Sequence, residues 1–350
     1  MRRLAIRKLA FAALAAGALL SACSEGPPPV LTPPAPPPPA PPSVALSPKI
    51  VELASAYSFY MARTSGIQPD FADGEGVARS LKVGEAYEPN QLLRGAMAYA
   101  AVVALQDKAF VDGVRTYAVD PTQRRQVAYE ILKDPAYAVG LPGSAGAAGL
   151  IQAALGAQGQ QLYDKGKAVK QAAYDIQHQP WSKTDVAGRE SRLADAKMLS
   201  QAVMTGDVSE TARLQQATIG AASLGLSATP SAPPYTPTVI RGLAIAALAA
   251  LGEAGDANVE QVLGLMSEPN VGTCMNMSKL NLFQCLAVAR PHYEDVFCLG
   301  QHAMMDTGRC VIRAAGLPEP FEPRFVPSQA SIDRGMGPKK PAPKKAKKKR

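Results

Sequence analysis

Residues 47–66 read SPKIVELASAYSFYMARTSG, and this stretch decides the fold class. Ser47 is a good N-cap, because its side chain can accept a hydrogen bond from a free N–H of the first turn. Pro48 fits the first helical position, where no N–H is needed. Ile50, Leu53, Ala54, Tyr57, Tyr60 and Met61 then recur at the spacing that brings them to one side of a 3.6-residue helix. Gly66 stands where such a helix should stop.

The same logic runs along the chain. A second helix is expected from about Asp73 to Glu85, and a third from Pro89 through QLLRGAMAYAAVVALQDKAF, which is apolar over much of its circumference and so belongs to a core. Asp120-Pro121 repeats the cap-plus-proline signal. Residues 144–177 are rich in Ala and Gln and predict one long helix, or two broken near Gly156–Gly159. Pro180-Trp181 ends that run, and a further helix is expected from Thr184-Asp185, antiparallel to it. VIRGLAIAALAALG at 239–252 is apolar apart from Arg241 but shorter than the roughly 20 residues of a bilayer span, so it reads as a buried helix. Strand signals are nearly absent. The fold class is all-α, built of packed helical hairpins, with a disordered proline-rich stalk before it and a disordered basic tail after it.

The N-terminus carries a different message. Arg2, Arg3, Arg7 and Lys8 precede LAFAALAAGALLSA, which has the basic head and short apolar run of an export signal. Leu20-Ser21-Ala22-Cys23 resembles the lipobox of bacterial lipoproteins. That resemblance implies cleavage before Cys23 and acylation of the cysteine, so membrane lipid is the expected partner at this position. Ser24, rather than Asp, implies in that class an outer-membrane location facing the periplasm. Eleven prolines follow between Pro27 and Pro42. Proline lacks an N–H and fixes φ, so the segment reads as a polyproline II spacer of about 50 Å. The expected organisation is a signal peptide (1–22), a lipidated stalk (23–47), a helical domain (48–222), a proline-rich linker (223–238), a disulfide-stapled subdomain (239–322) and a basic tail (323–350).

Charge is unevenly placed. The chain carries 37 Lys+Arg against 29 Asp+Glu. Lys339, Lys340, Lys344, Lys345, Lys347, Lys348, Lys349 and Arg350 crowd the last twelve residues; without them and the four signal bases, 25 bases face 29 acids. Such a basic block repels itself and has nothing to bury. In the cytosol it would suit nucleic acid; behind a lipobox it suits an anionic envelope polymer or lipid headgroups.

Cys274, Cys285, Cys298 and Cys310 form an even set, which in an exported chain implies disulfides. Three pairings are open. Neighbour pairing, Cys274–Cys285 with Cys298–Cys310, is favoured because the two stretches look like a loose repeat. A metal site using these thiols with His292 and His302 lacks the C-x2-C pair of structural zinc. No motif implies a cofactor.

Catalytic candidates are sparse. Gly146-Ala-Ala-Gly-Leu-Ile-Gln152 is similar to the G-A-x-G-L-[MI]-Q signature of lytic transglycosylases, and Tyr163-Asp-Lys-Gly166 loosely resembles that family's later Y-N-A-G. The resemblance implies peptidoglycan cleavage by a glutamate followed by serine, twelve residues before the first glycine. That position holds Asp134-Pro135, leaving Glu130, out of register, as the one candidate acid. Asp70, Asp73 and Glu75 do not alternate as a calcium loop requires and suit a helix cap. Glu294-Asp295 beside His292 suit the start of a helix, where acids favour the macrodipole. The first expectation is therefore a lipid-anchored envelope scaffold, tether or partner-binding module. A peptidoglycan-cleaving enzyme is the alternative.

Overall fold

Eight of the described α-helices begin where a side chain, often with a proline beside it, disposes of free N–H groups of the first turn. The computed structural model describes residues 40–321. Helix α1 (Pro48–Ser65) starts on Ser47, whose hydroxyl accepts the Lys49 N–H. Helix α2 (Gly74–Glu85) is capped by Asp73, and α3 (Pro89–Ala104) by the carboxylate of Glu88. The expected third helix is broken: Asp107 caps a separate α4 (Lys108–Arg115). Helix α5 (Pro121–Lys133) begins at Asp120-Pro121. Residues 144–177 resolve as one helix, α6 (Ser144–Ile176), of 33 residues and so about 50 Å. Helices α7 (Arg189–Leu199) and α8 (Val208–Thr218) follow. Then come α9 (Pro237–Leu251), α10 (Val259–Leu265), α11 (Pro269–Val288) and α12 (His292–Cys298). Helix α12 continues through a π-helical stretch, Leu299–Asp306, into α13 (Thr307–Ala314). No strand occurs among the described residues, and none of their helices is long and apolar enough to cross a membrane.

The core centres on α3 and α9. Helix α9 is buried from Val239 to Leu251 apart from Ile240 and Arg241, as its all-round apolar sequence requires. Helix α3 packs on α1, α9, α6 and α11. Gly95 lets α3 approach the backbone of α1, and a Cβ there would lie 2.7 Å from the Leu53 carbonyl oxygen.

Two sequence expectations change here. Residues 223–238 do not separate two domains, because residues 41–321 belong to one compact unit with one main hydrophobic cluster running through it. The proline-rich segment lies across the start of α6, where Ser231 N–H donates to the Ala145 carbonyl at 2.9 Å. Helix α7 starts at Arg189, not Thr184, and packs on α2 and α11, whereas it was expected against α6.

The chain enters the unit beside the end of α9. Ala45 N–H donates to the Ala249 carbonyl at 3.0 Å, and Ser47 N–H to that of Ala254 at 2.8 Å. Arg115 clamps both segments, reaching the carbonyls of Pro42 (3.0 Å) and Ala250 (3.2 Å).

Helix α6 meets the π-helical stretch and α13 through paired glycines. Gly166 faces Gly300, and Gly159 faces Gly308; a Cβ on Gly166 would sit 2.8 Å from the Gly300 carbonyl oxygen and 2.7 Å from the Met304 Cβ. Seven residues separate the two glycines of α6, but eight separate their partners. Eight residues of ordinary α-helix overshoot two turns by about 80°, which would turn the second glycine off the interface. Widening the ladder to i→i+5 bonds across Leu299–Asp306 absorbs the extra residue.

Gly166→Ala is expected to destabilise the protein by about 2 kcal/mol or more, despite alanine's better helix propensity, because backbone must move to admit the methyl. Gly264 in α10 has open space around its Cβ position, so Gly264→Ala should stabilise by roughly 0.5–1 kcal/mol. Urea denaturation of the two variants checks both signs.

Candidate functional site

The four described cysteines converge on the helix that carries the π-helical stretch. Cys274 pairs with Cys310 and Cys285 with Cys298, at Cα–Cα separations of 5.8 and 5.7 Å. This nested pattern replaces the expected neighbour pairing, for a physical reason. Cys274 and Cys285 both lie on α11, eleven residues or about 16 Å apart along a rigid helix, beyond any disulfide's reach. Eleven residues are close to three turns, so both sulfurs project toward the same neighbour. Their partners stand twelve residues apart, and the wide π-helical turns between them return Cys310 to the face of Cys298. Both thiol pairs are thus consumed. His302 Nδ1 instead lies 2.8 Å from Asp306 Oδ2, and the His292 ring sits over Gly74, near Trp181. Among the described residues no group of three or more His, Cys, Asp or Glu side chains is arranged to hold a metal ion.

Glu130, the candidate acid, lies on the outer part of α5 and accepts a hydrogen bond from Gln126 of the same helix at 2.9 Å. Asp134 caps the next short turn through the Ala136 N–H. The glycines of the transglycosylase-like stretch serve packing: Gly149 admits the backbone of Thr229 and Ser231 against α6. Tyr163 is buried with the Arg309 guanidinium 5.3 Å above its ring. Cys23 and the basic residues from Lys339 to Arg350 lie outside the described residues.

What sequence reasoning missed is a polar network inside the body, between the ends of α2 and α3 and the middle of α11. Glu85 and Lys279 are 1% and 4% exposed. Lys279 Nζ donates to the Glu85 backbone carbonyl at 2.6 Å and stands 3.5 Å over the Tyr87 ring, a cation–π arrangement. The Tyr87 hydroxyl lies 3.2 Å from Ser278 Oγ and 3.1 Å from Thr307 Oγ1. Ser278 donates to the carbonyl of His302, within the π-helical stretch, at 2.7 Å. Glu85 Oε2 is buried with no partner. Burial pushes the Glu85 carboxyl up to about 7, against the pull of Lys279. Burial likewise brings Lys279 down to about 7, opposed by Glu85 and Glu88. No local pattern announces these residues, which are 194 positions apart.

Helix α7 covers the Glu85 end of this network while burying only Ala196 of its own. It is fastened by polar contacts instead. Arg189 reaches the carbonyls of Ala289 (2.9 Å) and Ala287 (3.1 Å), and Arg192 reaches that of Leu286, so two guanidiniums satisfy the free end of α11. Arg192 also pairs with Asp295, in the first turn of α12. Burial raises the Asp295 carboxyl to about 6, the Arg192 charge opposing it. Ser200 Oγ lies 3.4 Å from the Glu85 carbonyl oxygen.

Two predictions follow from this geometry. Trypsin cuts after Lys279 and Arg309 but not between Arg290 and Pro291. The nested pairing therefore yields Cys310-Val-Ile-Arg313 linked to 242–279, and a separate 280–309 peptide with an internal cystine. Neighbour pairing would join all three, and mass spectrometry of a non-reduced digest distinguishes them. The second concerns Glu85. The folded chain holds a proton that the unfolded chain releases between pH 4.5 and about 7, so over this window the Glu85 contribution to stability falls as pH rises. Glu85→Gln cannot ionise. It should match the wild type near pH 4.5 and exceed it by on the order of 2 kcal/mol above pH 7.5, read from denaturation midpoints at the two pH values.

No family model matches this chain, and neither does any curated protein or any solved structure.

Proposed function

We propose that this chain is a bacterial lipoprotein of the cell envelope, fixed to a membrane by acyl chains on Cys23. Its helical body acts as a non-enzymatic scaffold, tether or partner-binding module. The observation that carries the reading is the pair of cystines tying α11 to the α12–α13 helix. Structural disulfides persist in oxidising compartments and are rare in a reducing cytosol, so they support export. The lipobox-like Leu20–Cys23 then names the mode of attachment. Each buried CH₂ of an acyl chain contributes about 0.8 kcal/mol, so two or more chains hold a protein firmly. The proline-rich segment acts as a spacer, and the basic C-terminus meets an anionic envelope polymer or lipid surface. Glu130 accepts a hydrogen bond from Gln126 of its own helix, a contact that lends nothing to the peptidoglycan-cleaving alternative.

Radiolabelled palmitate fed to cells expressing the full chain should enter the protein, and Cys23→Ala should abolish the label. Intact-mass measurement should show residues 1–22 removed. A bare thiol at Cys23, or a retained N-terminus, would overturn the reading.

A further inference from the structure

A trough of about 860 Å³ lies between α1, α3 and α8. Its lining is mostly apolar, contributed by Leu53 of α1, Leu263 of α10, and Val208 and Ala212 of α8, with Val203 and Met204 from the segment that joins α7 to α8. Val203 and Val208 are 77% and 86% exposed. Large aliphatic side chains this open, side by side on one trough, are what a binding surface presents. Residues 203–205 also form the wall of a second cavity, of about 220 Å³, which holds Phe59 and Tyr60 on its far side. The wall is irregular backbone, held where Gln91 Oε1 accepts the Met204 N–H at 2.8 Å. Apolar surface therefore continues behind it.

Charges of both signs border the trough. Lys49 and Arg94 line it, against Glu52 alone. Lys49 shares its charge with Glu260 at 3.2 Å, in a pair open to water and so weak. Arg94 is exposed and makes no ion pair among the described residues. It also borders a smaller depression of about 280 Å³ lined by Asn90, Glu268, Thr273 and Asn276. An apolar channel, an unpaired guanidinium at its edge and polar groups beyond are the order in which an amphiphile presents tail, charge and headgroup. Guanidinium binds carboxylate and phosphate in fork geometry.

We propose that this trough binds a single-chain anionic amphiphile, with its alkyl tail along Leu53, Met204 and Val208 and its acidic head on Arg94. The tail removes Val203 and Val208 from water, and the head supplies the counter-charge that Arg94 lacks. The proposal does not rest on the anchoring reading.

The test uses the full chain carrying Cys23→Ala, so that no covalent acyl chain competes. Laurate and lauroyl-lysophosphatidylglycerol are titrated below their micelle concentrations by calorimetry. Saturable 1:1 binding of either is expected, weakened at least tenfold by Arg94→Gln and by Val208→Asp, with unchanged thermal melting of both variants. The tighter of the two names the source as free acid or phospholipid. Dodecyltrimethylammonium, with the same tail and the opposite charge, should bind at least tenfold more weakly than laurate. Absence of saturable binding by both anions, wild-type affinity in Arg94→Gln, or equal binding of the cationic detergent would each overturn the proposal.

Discussion

One extra residue governs the C-terminal half of this protein. Helix α6 brings Gly159 and Gly166 to one face in seven residues, and α11 brings Cys274 and Cys285 to one face in eleven. The helix packed between them must answer both with one residue more, eight between Gly300 and Gly308 and twelve between Cys298 and Cys310. An α-helix of 3.6 residues per turn cannot do so on either side. The π-helical stretch resolves both mismatches at once, and the two cystines stand at its ends. The wide turns are thus held by covalent bonds on one side and by backbone contact on the other. A single methyl on α6 or a reduced cystine acts on the same segment.

This constraint organises the polar interior as well. The carbonyl of His302 is met by Ser278, which links through Thr307 and Tyr87 to the place where Lys279 crosses over the ring. Lys279 then reaches the end of α2, where Glu85 lies under α7. Two ionisable groups without full partners in the interior cost stability near neutral pH. An apolar pair of similar volume would stabilise the fold more. The two ionisable groups lie under a helix that buries only Ala196 of its own and is itself held by arginines on free carbonyls.

Much of the architecture is legible from residues alone, and the limits are physical. Ser47-Pro48 and Asp120-Pro121 announce helix starts because capping is local, Pro89 marks the start of α3, and Glu268-Pro269 starts α11 in the same way with glutamate in place of the usual cap residues. The apolar run at 239–252 announces burial because no face of it can meet water. The prolines of 223–238 mislead, since they report the loss of regular hydrogen bonding and say nothing about whether the flanking helices share a core. The cysteine pairing was half visible: eleven residues between Cys274 and Cys285 is three helical turns, which excludes the pair once that segment is read as a helix. Glu85, Lys279 and the trough at Arg94 are assembled from distant parts of the chain, and only packing shows them.

The entry of the chain beside α9 has a mechanical meaning. Tension on the polypeptide at Pro41 is met first by Arg115 on the Pro42 carbonyl, by the Ala45 amide on the end of α9 and by the Ser47 amide on Ala254 just beyond it. These bonds grip a buried core helix rather than a peripheral one. A pull from that side therefore shears several contacts against the centre of the body before α1 can peel away.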